Sequence, residues 1–112
     1  MTTLTAVNAT TFQDVVLSSS LPVIVDFWAT WCGPCKVLGA ELERLAPTYR
    51  TTLKFCAYDL DAGSEIPNRF GIRSVPTLLA FRAGTVVDQV IGAVARKDLV
   101  AFLDRLAGTK GH

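Results

Sequence analysis

Two cysteines, Cys32 and Cys35, flank a glycine and a proline in "WCGPC", six residues after an aspartate set into the apolar run "VIVDFWA". Such a pair can clamp a metal, staple the chain or act as a redox reagent. A structural zinc needs about four nitrogen or sulfur ligands. The chain has three cysteines and one histidine, so Cys32, Cys35, Cys56 and His112 would all have to converge. Cys56 falls inside a strand-like stretch and His112 is the last residue, so no metal is expected. A static disulfide across so short a loop restricts the unfolded chain little and stabilises little. With half of the residues apolar, a core can form without it.

A reactive pair accounts for more of the pattern. Gly33 and Pro34 set a strand-to-helix junction, and Pro34 suits the first helical turn, where its missing N–H costs no bond. Cys32 then stands at a helix N-terminus, where free N–H groups and the helix dipole stabilise a thiolate. Cys35, one turn further in, is expected to be more buried and less acidic. This asymmetry gives Cys32 the attack on a substrate disulfide and Cys35 the resolution of the mixed disulfide. Asp26, in apolar surroundings, is expected to have a raised pKa. A plain alternative is that strand twist carries it to solvent or a partner. The chemical reading is a proton acceptor and donor for Cys35, acting directly or through a water.

The elements around these residues follow from periodicity. "TLTAV" with Val7 reads as a first strand, and "NATTFQDVV" as a short helix with Asn8, Thr10 and Thr11 as caps. "PVIVDFWA" reads as a strand buried on both faces of a parallel sheet. Leu38, Leu42, Leu45 and Tyr49 mark one face of a long helix, which Pro47 should bend or end around Leu45. "TLKFCAYDLD" is another central strand, and "AGSEIPNRFG" a loop with about one helical turn. "PTLLAF" and "TVVDQVIG" form a hairpin through "RAG", with Gly84 supplying positive φ. Leu99, Phe102, Leu103 and Leu106 define a terminal helix. The order predicts one α/β domain over 1–112, a mixed sheet with helices on both faces in three layers. Sites in such sheets form at the carboxyl ends of strands, where the cysteines fall.

Composition excludes several functions. The 11 basic residues are dispersed and the formal net charge is +1, so no basic stripe exists for a nucleic acid. No apolar run approaches the length of a bilayer span, and the first residues lack a signal-peptide pattern, so no membrane partner is expected. Three cysteines make no disulfide framework. A reducing compartment, the cytoplasm, is the expected location, with the chain a monomer.

"DFWATWCGPCK", with "GIRSVPTLLAF" downstream and "VIGA" after the hairpin, resembles thioredoxin from about Leu4 to Leu106. The resemblance implies a thioredoxin fold, with a central mixed five-stranded sheet flanked by about four helices. It also implies protein-disulfide reductase activity without a bound cofactor. Electrons would come from an NADPH-dependent thioredoxin reductase or an equivalent donor. Pro76 resembles the family's cis-proline opposite the cysteines, a geometry that is very costly for other residues. Val75 before it is expected to offer backbone groups to an extended substrate. Trp28 should pack beneath the active-site turn, and Trp31 should stand exposed as a partner contact. Gly71, Ile72, Gly92 and Ala93 complete an apolar rim, and Lys36 adds a positive charge nearby. Cys56 reads as a small core residue.

Two positions depart from the family pattern. Many thioredoxins carry a lysine beside the buried aspartate; here the matching residue is Ala57. A helix proline after the motif is replaced by Ala40. Without the lysine, desolvation of Asp26 is less opposed. Two other functions share the same fold: an oxidase or isomerase, and a non-catalytic assembly subunit using the same rim.

Overall fold

The computed structural model describes residues 4–108. Thr3 and His112, which enter the sequence expectations, lie outside them. Among the described residues the strands are β1 (Thr5–Val7), β2 (Val23–Trp28), β3 (Lys54–Asp59), β4 (Thr77–Arg82) and β5 (Thr85–Ile91). They form one sheet in the order β1-β3-β2-β4-β5. β1 and β2 pair parallel with β3, whereas β4 runs antiparallel to both β2 and β5. This is the expected mixed five-stranded sheet.

The helices are a short π-type helix (Gln13–Leu17), α1 (Gly33–Tyr49), α2 (Glu65–Arg69) and α3 (Arg96–Ala107), with a 3-10 turn at Leu60–Ala62. Ahead of the first, Asn8 Oδ1 accepts from the N–H groups of Thr10 and Thr11, at 2.9 and 3.0 Å, as the capping residues suggested. β2 is buried from Val23 through Phe27 because its side chains alternate between two covered faces. Ile24 meets Leu38 and Leu42 of α1 and Leu99, Phe102 and Leu103 of α3. Val23, Val25 and Phe27 meet Phe12, Val16, Cys56, Tyr58, Ile66 and Phe81 on the other face. Asp26, in phase with Ile24, therefore points to the side that α1 covers.

Of the two outcomes expected at Pro47, a bend or an end near Leu45, the early end is overturned. α1 does not end near Leu45 but continues through Pro47 to Tyr49. An interior proline costs roughly 3 kcal/mol through the lost bond and the ring clash. Against this, Ala46 and Tyr49 are buried in the core, and the Tyr49 hydroxyl donates to Asp104 Oδ1 of α3 at 2.7 Å. Burying a large side chain contributes about 1.5–3 kcal/mol, and a hydrogen bond to a charged group contributes a comparable amount. Tertiary packing outweighs the local break.

The β4–β5 hairpin turns on two residues, Ala83 (φ 52°) and Gly84 (φ 80°). Both have positive φ, the requirement of the tight turn that matches strand twist. A Cβ at Gly84 would lie 3.0 Å from the Leu17 carbonyl oxygen, so the site needs glycine for space as well as for φ.

Candidate active site

The chain leaves β2 at Trp28 and enters α1 at Gly33, so the cysteines sit where a parallel strand hands over to a helix. Cys32 is the helix cap in extended conformation, with Pro34 in the first turn, as the motif predicted. The Cys35 N–H donates to Cys32 Sγ at 3.1 Å. That donor would serve a thiolate equally well once the sulfur is reduced. The two cysteines are joined as a disulfide, with Cα atoms 5.3 Å apart.

Both are buried, Cys32 to 5% exposure and Cys35 to 2%, so the expected asymmetry is slight in exposure. It is clear in surroundings. Cys32 lies between exposed Trp31 and exposed Gly33 and Pro34. Cys35 faces inward and lines a pocket of about 660 Å³ together with Asp26. Around the pair, Ala29, Trp28, Leu60 and Val75 pack into a small cluster separate from the two main cores. Trp28 thus supports the turn from below, while Trp31 is 73% exposed.

On the outer side, the Val75–Pro76 peptide bond is cis. The Pro76 carbonyl accepts the Gly92 N–H at 2.8 Å, which ties the end of β5 to the proline loop. Val75 reaches the cysteine cluster, Ile72 packs against the core on the far face of the sheet, and Gly71, Ala93 and Ile91 are exposed. Lys36 is exposed and lines the pocket on the Asp26 side.

Asp26 is 2% exposed, and its Oδ1 accepts no hydrogen bond among the described residues. In register it stands between Ala57 of β3 and Leu78 of β4, neither of which offers a donor side chain. Desolvation by burial pushes its pKa up to about 7. The strand does not twist the carboxyl out to solvent. Cys56, one position away on β3, lies wholly on the opposite core face, far from the role of a ligand beside Cys32.

Two contributors escaped the sequence reading. Thr77 is buried and donates through Oγ1 to the Ser74 carbonyl at 2.7 Å, closing the loop around Pro76. Gly39 lies over the carboxyl: a Cβ there would stand 4.0 Å from Asp26 Oδ2, an ordinary van der Waals contact. Its position four residues after Cys35, on the same helix face, was the available signal.

A dithiol–disulfide at a helix N-terminus, with an ionisable carboxyl beneath it and an apolar rim beside it, defines a thiol–disulfide oxidoreductase. Comparison with known proteins agrees. The thioredoxin family model matches residues 3–105. Thioredoxin 1 of Synechococcus elongatus is 41% identical over 105 residues, which cover 94% of this chain and 98% of that protein. Thioredoxin of Pseudomonas aeruginosa is 41% identical over 100 residues, 88% of this chain and 93% of the relative. The chloroplastic M-type thioredoxin of Chlamydomonas reinhardtii is 40% identical over 100 residues, 89% and 71% of the two chains. The chain belongs to the thioredoxin family. Its activity is protein-disulfide reduction through the Cys32–Cys35 pair.

Proposed function

We propose that Cys32 is the attacking thiol, Cys35 the resolving thiol and Asp26 the group that moves the resolving proton. The observation that carries this reading is that Cys35 and Asp26 line one pocket, whose lining does not include exposed Trp31. Reduced Cys32 attacks one sulfur of a substrate disulfide; the other sulfur leaves as a thiolate and takes up a proton. Cys35 then gives its proton to the Asp26 carboxylate, and its sulfur attacks Cys32 Sγ. The Cys32–substrate bond breaks, and the second substrate sulfur departs with the electron pair and receives a proton. Two electrons have passed to the substrate, and the Cys32–Cys35 disulfide remains.

An acceptor with a pKa of about 7 is ionised often enough to take a proton near neutrality and basic enough to hold it. Extended substrate segments lie across Trp31, Ile72, Val75, Pro76, Gly92 and Ala93, with the Val75 backbone as the strand-like partner. Gly33 and Pro34 hold the turn, Trp28 packs under it, and Lys36 contributes its charge at the pocket rim. A nicotinamide-dependent reductase protein returns two electrons and two protons to the pair. Three cysteines without a framework fit a reducing compartment, and the cytoplasm is the compartment this reading assigns. No helix of the described residues is long and apolar enough to cross a membrane.

Cys35→Ser incubated with insulin should accumulate a mixed disulfide through Cys32, and Cys32→Ser should accumulate none. Asp26→Asn should slow resolution on the order of 10²-fold at neutral pH in stopped-flow tryptophan fluorescence. Resolution at the wild-type rate in Asp26→Asn would remove the aspartate from the mechanism. An equilibrium potential more reducing than about −250 mV, a range already known for thioredoxins, separates the reductase from an oxidase or isomerase.

A further inference from the structure

The pocket behind the dithiol is larger than proton transfer requires. Its volume, about 660 Å³, is that of a small-molecule site. It is roomy because three positions that roof and wall Asp26 are small: Gly39 and Ala40 on α1, and Ala57 on β3. Its mouth is open, since Ala6, Lys36, Ala40 and Ala62 are exposed, while Asp26 and Cys35 lie buried at its floor. The lining is largely apolar, with the charged groups Asp26 of β2, Asp59 of β3, and Lys36 and Glu43 of α1. The facing position on β4 is Leu78, which does not titrate. At its floor Asp26 is 2% exposed, and its buried Oδ1 accepts no hydrogen bond among the described residues. A buried carboxylate without a donor is costly, and a cationic donor brought to it forms the strongest available class of hydrogen bond.

We propose that this pocket is a binding site for a small amphipathic amine, whose apolar body fills the space beside Ala40 and Ala57 and whose ammonium group donates to the Asp26 carboxylate. The ligand is a monocation with a compact hydrocarbon body, since Leu4, Val7, Trp28, Ala40 and Ala57 give the lining an apolar surface around the Asp26 carboxyl. An occupant would hold Asp26 ionised and unable to accept the Cys35 proton, so it would slow resolution without touching the substrate rim. That regulatory consequence rests on the proton-transfer reading above; the binding itself does not.

The test uses benzylamine as the probe and benzyl alcohol as its neutral isostere, followed by NMR of the oxidised wild-type protein and by Trp28 fluorescence. Benzylamine should give saturable shifts at Asp26, Gly39, Ala40 and Ala57, and should bind at least about 10-fold more tightly than the alcohol. Asp26→Asn should remove that preference, bringing amine and alcohol to within about 3-fold of each other. Ala57→Leu fills the pocket from the sheet and should abolish the shifts. Ala40→Leu fills it from an exposed helix position, so it keeps the test decisive if Ala57→Leu does not fold. Linear, non-saturating shifts in the wild type would overturn the proposal. So would a preference for amine that survives Asp26→Asn, or binding that survives the filling variant. Insulin reduction is read separately. Amine binding with wild-type resolution in Asp26→Asn would retain the site and reject the proton-transfer role, and slow resolution without amine binding would do the reverse.

Discussion

Asp26 and Cys56 lie on adjacent paired strands, one register position apart, and they face opposite sides of the sheet. On the Asp26 side, Gly39, Ala40 and Ala57 leave open volume over an ionisable group. On the Cys56 side, Phe12 meets Tyr58 and Phe81 edge-to-face and Phe70 at a tilt, at centroid distances of 6.3, 5.7 and 5.6 Å, and Phe27 meets Tyr58 at 5.4 Å. Both groups are shifted upward by desolvation. For Asp26 the result is a pKa of about 7, within reach of neutral chemistry. For Cys56 it is about 11, with Lys54 opposing, so the thiol stays protonated and inert. The same physical cause yields a reagent on one face and a filler on the other, because the two groups start from different intrinsic acidities.

The largest expected contrast is in how the two faces respond to truncation. Phe12→Ala should destabilise the fold by roughly 3–5 kcal/mol, with little dependence on pH, as measured by urea unfolding. Asp26→Asn should do the opposite and depend on pH. Below the ordinary carboxyl range, both folded and unfolded chains hold the proton and Asp26 exerts no penalty. Between about pH 4 and pH 7 the unfolded chain releases it while the folded chain keeps it, so wild-type stability falls as pH rises. Above that window the penalty is constant, and Asp26→Asn should exceed the wild type by up to about 4 kcal/mol relative to their difference at low pH. A pH-independent difference between the two proteins would mean that the carboxyl is not desolvated, and the contrast between the faces would collapse.

Cys56→Ala should cost only about 1–2 kcal/mol and leave insulin reduction unchanged. In the reduced wild type, iodoacetamide should label Cys32 readily and Cys56 only after unfolding. At the hairpin, where the packed face reaches Leu17, Gly84→Ala should cost about 1–2 kcal/mol from its positive φ, with the close contact to the Leu17 carbonyl oxygen adding to that, as read by thermal unfolding.

These contrasts were unevenly legible in the sequence. Alternation of strands and helices, the capping at Asn8, the cysteine motif and the buried carboxyl follow from local residue types and periods. The sheet order does not, since it depends on which strands pair across long separations. Pro47 misled because a local rule about helix interiors was decided by Tyr49, Ala46 and the distant Asp104. Gly84 announced the hairpin turn, but Ala83 shares its positive φ without any residue-level signal. The pocket was hidden for a different reason. Ala40 and Ala57 were visible as substitutions of larger residues, but volume left over between α1, β2 and β3 is a property of no single segment.

The sheet order carries one further consequence. β1 is an edge strand of three residues, paired within the sheet to β3 only, and Leu4, Ala6 and Val7 form part of the pocket's outer wall. Local opening free energies run from near zero at frayed edges up to the global value in central strands. Asp26 sits on the central strand, among the last amides to open, beneath a wall drawn from the first. The carboxyl is therefore approached through the pocket mouth between α1 and this edge of the sheet, so a small molecule can come near it while the central strand and the dithiol stay in place.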